Sequence, residues 1–256
     1  MELADRLFGL SGQTAIVTGG ASGIGEAIAH HLAGLGATTI IVDRDAERAS
    51  AVRRDIAAAG GSADAEIIDI ASEAAVIAGV KSIVDRHGGV HILVNNAGVQ
   101  DREPMLDISA QEWDRILGIN LRGPFLMLRE CTKAMIAANV RGCVVNIASL
   151  GVMHPMIEGL AAYSASKAGL VSLTRNSAFE LSGHGIRVNA VLPGGVVTPG
   201  SSHGAARRVE GPGTRPSPLG QLMPADIAGA AAFLVSPAAG KITGQMLAVE
   251  SGWLLT

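Results

Sequence analysis

The chain has 256 residues, of which 48% are hydrophobic and only 3% aromatic, and its formal net charge is −3 at pH 7. This balance indicates neither nucleic acid nor an anionic membrane surface as a partner. No apolar run has the length of a membrane span and no basic region followed by an apolar one opens the sequence, so we expect a cytoplasmic protein whose two cysteines, Cys131 and Cys143, stay reduced in the core.

Short apolar runs alternate with helical patterns along the whole chain. Such alternation favours an α/β fold, a Rossmann-type doubly wound parallel sheet of about seven strands with helices on both faces. No linker or internal repeat marks a boundary, so residues 1–256 are predicted to form a single dinucleotide-binding and catalytic domain. The predicted strands lie near 13–18, 38–42, 64–69, 90–95, 142–148, 186–191 and 245–249.

The first predicted strand leads into a glycine-rich turn, which a helical pattern follows. A strand, a tight turn and a helix N-terminus together present free backbone N–H groups and the positive helix end to a pyrophosphate. The glycines Gly19, Gly23 and Gly25 have the spacing GxxxGxG rather than GxGxxG. The alternative is a glycine-rich turn that binds nothing.

The second predicted strand ends on Asp43, eighteen positions after Gly25. A ribose-binding carboxylate follows the glycine turn of dinucleotide-binding folds at about this distance, roughly 20 residues. It would accept hydrogen bonds from a ribose hydroxyl and repel a 2′-phosphate, so NAD is favoured over NADP. Arg44 argues the other way, because a guanidinium beside the ribose could accept that phosphate. A helix-capping role, which Asp45 could equally supply, is the alternative for Asp43.

Tyr163 and Lys167 are four residues apart and therefore share one face of any helix that carries them. We expect the ammonium to lower the pKa of the phenol, which is about 10 when unperturbed. A phenol tuned in this way is a general acid/base suited to an alcohol or a ketone. The pair alone is weak support, because many solvated helices carry tyrosine and lysine at this spacing.

With these motifs in place, the chain resembles the short-chain dehydrogenase/reductase family in its one-domain branch, over essentially its whole length. Residues 18–25 are similar to the family's cofactor turn, and residues 95–98 match its Asn-Asn-Ala-Gly motif. The resemblance implies four catalytic residues: Asn120, Ser149, Tyr163 and Lys167. It also implies a cofactor site formed by Gly19, Ser22, Gly23, Ile24, Gly25, Asp43, Asp69, Ile70, Asn96, Ala97, Gly98, Tyr163, Lys167, Pro193, Gly194, Val196 and Thr198.

The resemblance also implies a role for each catalytic residue. Tyr163 would exchange a proton with the substrate oxygen while hydride moves to or from the nicotinamide, and Ser149 would hydrogen-bond that oxygen. Lys167 would hold the cofactor ribose and lower the pKa of Tyr163, and Asn120 would anchor a water that connects Lys167 to solvent. Taken singly, Ser149 could instead cap a strand end, Asn120 a helix kink, and Lys167 could be surface charge.

Residues 199–220 are rich in Gly, Pro, Arg and Ser, and the resemblance places a substrate lid there. An irregular surface connection is the alternative. In this segment Arg207, Arg208 and Arg215 could meet a carboxylate or phosphate of the substrate, or serve solubility alone. Further candidate substrate contacts are Met153, His154, Met156, Ile157, Glu158 and residues 99–102.

No metal is expected, because the seven histidines lack a ligand spacing and the adjacent His30 and His31 would point about 100° apart on a helix.

The sequence therefore predicts an NAD(H)-dependent oxidoreductase that interconverts a secondary alcohol and its ketone, with a polyol, sugar or hydroxy acid slightly favoured over an apolar cyclic alcohol. The alternatives are an NADPH-dependent 3-oxoacyl-type reductase and a non-catalytic nucleotide-binding scaffold. The resemblance further implies a homotetramer assembled through the long helices and the last strand, with an apolar tail at 253–255. Glu250-Ser251-Gly252 stands where the family usually has Asp-Gly-Gly, which leaves the details of subunit packing open.

Overall fold

The computed structural model of the protein describes residues 2–100, 102–198 and 211–255. Within these ranges the centre is a parallel sheet in the order β3-β2-β1-β4-β5-β6-β7. Its strands are β1 (Thr14–Thr18), β2 (Thr38–Asp43), β3 (Ser62–Ile67), β4 (Ile92–Asn95), β5 (Cys143–Ile147), β6 (Arg187–Pro193) and β7 (Met246–Val249). The predicted fold class and the seven predicted strands are confirmed, with ends that differ by a few residues.

Helices cover both faces of the sheet. They are α1 (Leu3–Phe8), α2 (Gly23–Gly34), α3 (Ala46–Ala58), α4 (Glu73–His87), α5 (Ala110–Leu117), α6 (Gly123–Ala137), α7 (Ala161–Leu181) and α8 (Pro224–Val235). A π-helical turn, Gly118–Arg122, joins α5 to α6. Single 3₁₀ turns lie at Leu150–Val152, Ser182–His184, Pro212–Thr214, Pro237–Ala239 and Trp253–Leu255.

The two faces of the sheet bury separate apolar cores, because successive strand side chains point to opposite faces. Ala15 and Val17 of β1 pack with α2, α3 and α8, whereas Ile16 packs with α4, α6 and α7. All five residues of β1 are buried, as expected for a central strand covered on both faces. Small and branched side chains fill both cores, which agrees with the low aromatic content.

The edge strand β3 is more polar than the central strands. Its Asp64 and Glu66 both accept hydrogen bonds from Arg86 of α4. Charged side chains on an edge strand discourage pairing with another chain. The strand was predicted at 64–69 but runs from Ser62 to Ile67, so Asp69 and Ile70 lie in the loop that follows it.

The order in which successive strands are added to the sheet reverses at β1. The chain passes from β1 through β2 to β3 on one side, then returns to β4 on the other side of β1. In open parallel sheets, ligands bind at the carboxyl ends of the strands where the order reverses in this way. The fold therefore directs attention to the loops after β1 and β4.

Candidate active site

A cleft of about 710 Å³ opens at the carboxyl edge of the sheet. Loops after six of the strands, β1 to β6, line it, which brings together residues far apart in sequence. The predicted site residues that line the cleft are Gly19, Ser22, Gly23, Ile24, Asp43, Asp69, Ile70, Asn96, Ala97, Gly98, Ser149, Tyr163, Lys167, Pro193, Gly194, Val196 and Thr198. Two predicted residues, Gly25 and Asn120, are not among the described lining residues.

The glycine turn lies directly against the loop after β4. Gly19 adopts φ +63°, and a Cβ there would lie 2.8 Å from the Cα of Ala97. The Asn96 amide donates to the carbonyls of Thr18 and Gly19, both at 3.1 Å. Gly25 lies behind the turn, where a Cβ would be 2.0 Å from the Gly19 carbonyl oxygen. Gly25 therefore permits close packing of α2 on the turn, rather than lining the cleft as predicted.

The N-terminus of α2 faces the cleft with free donors. Its N-cap, Ser22, makes no side-chain capping bond within the described part of the chain. Ser22, Gly23 and Ile24 all line the cleft. Because the first N–H groups of a helix have no partner within it, this terminus suits an anion such as a pyrophosphate.

Asp43 ends β2 and its carboxylate lines the cleft. One oxygen accepts from the N–H of Ala21 at 3.2 Å, and the other from the N–H of Asp45 at 3.1 Å. Asp45 is the residue that caps α3, since it accepts from the N–H of Arg48 at 3.0 Å. The capping alternative for Asp43 is therefore wrong. Arg44 and Arg48 also line the cleft beside it.

The loop after β3 completes this end of the cleft. Asp69 accepts a hydrogen bond from the N–H of Ala71 at 3.0 Å, which fixes the turn leading to α4. Ile70 packs against Gly123 at the start of α6, where a Cβ would lie 2.8 Å from the Ile70 Cδ1. Both residues line the cleft, as the resemblance implied.

Ser149, Tyr163 and Lys167 converge at the middle of the cleft. Ser149 follows β5, and Tyr163 and Lys167 occupy successive turns of α7. The Ser149 hydroxyl accepts from the N–H of Gly151 at 3.1 Å and also hydrogen-bonds the Tyr163 phenol. The buried Lys167 Nζ donates to the Ile147 carbonyl at 2.8 Å and lies 5.8 Å from the centroid of the Tyr163 ring.

Burial shifts the pKa values of Tyr163 and Lys167 in opposite directions. It lowers the pKa of Lys167 to about 8. It raises the pKa of Tyr163 above its ordinary value, and the hydrogen bond from Ser149 offsets only part of that rise. The expected lowering of the phenol pKa by Lys167 is therefore wrong for the protein alone. The lysine loses its charge before the phenol ionises, so no ammonium remains to stabilise the phenolate.

Asn120 lies in the π-helical turn and is fully buried. Its amide oxygen accepts from the N–H of Val99, and its amide nitrogen donates to the Val99 carbonyl, both at 2.8 Å. The same nitrogen donates to the Ser166 hydroxyl at 3.1 Å. The side chain therefore ties the loop after β4 to α7.

The loop after β6 forms the far wall. Gly194 donates to the Val249 carbonyl at 2.9 Å, and a Cβ there would lie 3.1 Å from the Cα of Glu250. Val196 pairs with Leu222 in an isolated bridge, which closes the base of the predicted lid. Thr198, the last described residue before the gap, also lines the cleft.

The described half of the predicted lid is anchored to the rest of the protein. The N–H of Gly213 donates to the Met156 carbonyl at 2.6 Å, and that of Leu219 to the Ser251 carbonyl at 3.0 Å. Met156 and Ile157 line the cleft, whereas the exposed His154, Glu158 and Arg215 are not among its described lining residues. Asp101, Arg207 and Arg208 lie outside the described residues.

His154 packs on the C-terminal turn instead. Its ring meets the indole of Trp253 edge to face, with 5.7 Å between centroids. Its place in the apolar tail suggested that Trp253 would pack against a partner subunit. Trp253 is only 6% exposed, however, so it is already buried within its own subunit.

Sequence reasoning missed several residues that line the cleft. They include Arg48, Ile119, Leu150, Leu160, Gly195 and Gly213. Leu150 directly follows Ser149, and Leu160 lies three residues before Tyr163. Arg48 lies four residues after Arg44, so proximity in sequence to the predicted motifs was the available signal. Of the segment 99–102, the described residues Val99, Gln100 and Arg102 line the cleft.

No helix among the described residues is both long and apolar enough to span a bilayer. In the same ranges, no group of three or more His, Cys, Asp or Glu side chains is arranged to hold a metal ion.

Known proteins match the chain over nearly its whole length. A family model described as enoyl-(acyl carrier protein) reductase matches residues 19–254. D-threitol dehydrogenase of Mycolicibacterium smegmatis is 38% identical, over 97% of this chain and 95% of its own. 3beta-hydroxysteroid dehydrogenase 2 of Eggerthella lenta is 34% identical, over 95% of each. The crystal structure of a short-chain type dehydrogenase/reductase from Mycobacterium marinum superposes with a TM-score of 0.90 at 31% identity, covering 98% of this chain and 99% of that one.

Proposed function

Because the chain belongs to the short-chain dehydrogenase/reductase family, we propose that it is an NAD-dependent oxidoreductase that interconverts a secondary alcohol and its ketone. The observation that carries this proposal is the convergence of Ser149, Tyr163 and Lys167 in one cleft with the glycine turn. Interconversion of an alcohol and a ketone needs both an acid/base group and a dinucleotide site, because hydride moves to or from the nicotinamide while a proton moves to or from the substrate oxygen. The polyol and steroid dehydrogenases among the relatives, whose names denote alcohol oxidation, support the same reaction class.

The donor set of the cleft fits a nicotinamide dinucleotide. The uncapped N-terminus of α2 would bind the pyrophosphate, and Asp43 the adenosine ribose. Asp69 and Ile70 would contact the adenine, and Lys167 would bind the nicotinamide ribose. The segments 96–98 and 193–198 would flank the nicotinamide. When bound, NAD⁺ would supply the acceptor for hydride from the carbinol carbon of the alcohol, and NADH the donor of hydride to the carbonyl carbon of the ketone.

NAD is preferred to NADP in this proposal because the Asp43 carboxylate is held in place. Its two oxygens each accept a backbone hydrogen bond, so it cannot swing away from a 2′-phosphate without leaving both donors unpaired. Arg48, which could otherwise offset the repulsion between Asp43 and a 2′-phosphate, forms an ion pair with Asp45 at 3.4 Å. Arg44 is the residue that would support NADP and the oxoacyl-type reductase alternative.

Tyr163 is the proton-transfer group of the proposed reaction. Since burial raises its pKa, the phenol holds its proton at neutral pH and can donate it to the oxygen of a ketone as hydride arrives. In the reverse direction the tyrosine oxygen must accept the hydroxyl proton of the alcohol, so oxidation should accelerate as pH rises. Ser149 would hydrogen-bond the same substrate oxygen and stabilise the charge that develops there.

A homotetramer is proposed on the surface that the long helices and the last strand present. Phe179 of α7 is 83% exposed, and Phe125 of α6 is 40% exposed. Leu247 on the edge strand β7 and Leu255 beyond it are exposed as well. Burial of large apolar groups like these is the usual reason for subunit association. A cytoplasmic location stays a prediction from the sequence.

The test of the proposed function is turnover by a Tyr163→Phe variant, followed through NADH absorbance with a panel of secondary alcohols and with NAD⁺ and NADP⁺ in parallel. We expect the wild type to turn over an alcohol with NAD⁺, and Tyr163→Phe to lose at least about 100-fold in kcat while it still binds NADH. Ser172→Ala, an exposed position on the same helix, is the control.

The two alternatives predict different results. Unchanged turnover in Tyr163→Phe would refute the proton-transfer assignment. Activity with NADP⁺ alone would favour the oxoacyl-type reductase, and NADH binding without turnover of any carbonyl or alcohol would favour the scaffold.

A further inference from the structure

The charges that line the cleft are unevenly distributed. Among the described lining residues, the carboxylates Asp43, Asp45 and Asp69 all follow β2 or β3, at the end proposed for the adenosine. Arg44 and Arg48 lie at that end too. Arg102, by contrast, follows β4, and its backbone lies against Gly159, in the segment between Ser149 and Tyr163. Among the described lining residues that follow β4, β5 or β6, the charged side chains are Arg102 and Lys167, and we call this part of the cleft the substrate end.

Both ends of the short segment that carries Arg102 are fixed relative to Tyr163. At its start, Val99 exchanges two hydrogen bonds with the Asn120 amide. At its end, the Arg102 backbone lies against Gly159, where a Cβ would be 2.7 Å from the Arg102 carbonyl carbon. Gly159 has φ +82°, and α7 with Tyr163 begins two residues later. The backbone of Arg102 is thus held close to the start of α7, and Arg102 lines the cleft that contains Tyr163.

We propose that Arg102 binds an anionic group, a carboxylate or a phosphate, on the substrate of the proposed alcohol–ketone reaction. The inference rests on that proposed function and narrows its substrate class. A guanidinium matches the two oxygens of a carboxylate or phosphate with paired N–H donors. Arg102 also interacts with another residue of the chain, which helps to fix it, and its five N–H donors allow a ligand to be bound at the same time.

The other side chains at this end fit a substrate that is polar near the anion and apolar elsewhere. Gln100 lines the cleft beside Arg102 and can donate to or accept from a substrate hydroxyl. Met156 and Ile157 supply an apolar wall opposite. A cationic substrate would meet only Arg102 and Lys167 as charged groups in this described part of the cleft, and both would repel it.

The experiment compares matched alcohols that differ in one charge. D-Glucitol, D-gluconate and D-glucitol 6-phosphate form one set, and butan-2-ol with 3-hydroxybutyrate another, so that carboxylate and phosphate are tested separately. We expect the wild type to have the higher kcat/KM for an anionic member. Arg102→Gln should lower that value about 10–100-fold and change the neutral member less than about threefold. Arg102→Lys should fall between, and Arg54→Gln, on the exposed face of α3, is the charge-matched control.

Equal losses for neutral and anionic members in Arg102→Gln, or a wild-type preference for the neutral member, would overturn the proposal. If no alcohol reacts, the proposed function fails for this panel, and thermal stabilisation then decides the anion site by itself. In that case anionic members should raise the Tm of the wild type with NADH present, and not that of Arg102→Gln. A Tm that responds equally in both proteins would reject Arg102 as the binding group.

Discussion

The order in which Lys167 and Tyr163 titrate can be measured directly, because Tyr163 is the only tyrosine in the chain. All tyrosinate absorbance in an alkaline titration therefore comes from this one phenol. We expect a pKa above the ordinary value of about 10 in the protein without cofactor, since burial disfavours the phenolate. The same protein in denaturant supplies the unperturbed reference, and Tyr163→Phe supplies the blank.

Substitution of Lys167 by Met separates two explanations of the phenol's environment. A full positive charge 5.8 Å from the ring would stabilise the phenolate by about 3 kcal/mol at an effective dielectric constant of about 20, which is about 2 pKa units. The lysine pKa is only about 8, however, so the side chain is neutral when the phenol titrates. We therefore expect Lys167→Met to move the Tyr163 pKa by less than about half a unit.

Ser149→Ala provides the positive control for this titration. Its hydroxyl hydrogen-bonds the phenol and lowers the pKa, so its loss should raise the Tyr163 pKa by about 1 unit. Circular dichroism at each pH checks that the chain stays folded. A wild-type pKa below 10, or a rise of about 2 units in Lys167→Met, would refute the reasoning and restore the lysine as a direct electrostatic partner.

Three further predictions concern the cofactor end, the lid and the stability of the fold. Asp43→Ala should lower kcat/KM with NAD⁺ about 10–100-fold and reduce the preference for NAD⁺ over NADP⁺. Asp45→Ala should lower the free energy of unfolding by about 1 kcal/mol and leave the cofactor preference unchanged. An unchanged preference in Asp43→Ala would show that Asp43 does not determine cofactor choice. Gly213→Ala should lower kcat/KM for the alcohol about tenfold with no change in NADH affinity, because a Cβ would lie 2.9 Å from the Met156 carbonyl oxygen. Gly229→Ala is the control, since a Cβ there would meet open space, and it should leave kcat/KM unchanged. The His91 ring accepts a hydrogen bond from the N–H of Thr14 at 3.1 Å, and burial lowers the pKa of His91. As pH falls below about 6.5, His91 is therefore protonated in the unfolded chain before it is protonated in the folded one, and the free energy of unfolding falls by up to about 1.4 kcal/mol per pH unit. This loss should be absent from His91→Gln in denaturant titrations at pH 5 and 7.5.

The cofactor end of the cleft could be predicted from the sequence because each part of it is local. A buried parallel strand is a short apolar run, and the residue after it sits at the carboxyl edge wherever the strand lies in the sheet. Asp43 was predicted in this way, whereas Ser149 was implied by the family resemblance. The sequence does not distinguish a glycine needed for packing from a glycine that faces a ligand. The packing need at Gly25 is evident only from the structure, where a Cβ would lie 2.0 Å from the Gly19 carbonyl oxygen.

The behaviour of Lys167 and Asn120 could not be predicted from spacing. A tyrosine and a lysine four residues apart on a helix suggest electrostatic coupling, but the degree of burial decides which group loses its charge first. The resemblance implied that Asn120 anchors a water that connects Lys167 to solvent, which stays a prediction. The hydrogen bonds of its side-chain amide to Val99 and Ser166 were not predicted, because no periodicity in the sequence reports a turn widened by one residue.

The substrate end is built differently, from loops that are held mainly by one another. Arg102 rests on Gly159, Met156 accepts a hydrogen bond from Gly213, and Leu219 donates to Ser251. Each contact joins segments more than 30 residues apart, so no local pattern reveals it. A substitution in any one of these segments would move the wall that another segment presents to the substrate. Substrate choice should therefore change through glycines such as Gly159 and Gly213 as readily as through Arg102, while the strand-end residues proposed to bind the cofactor stay in place.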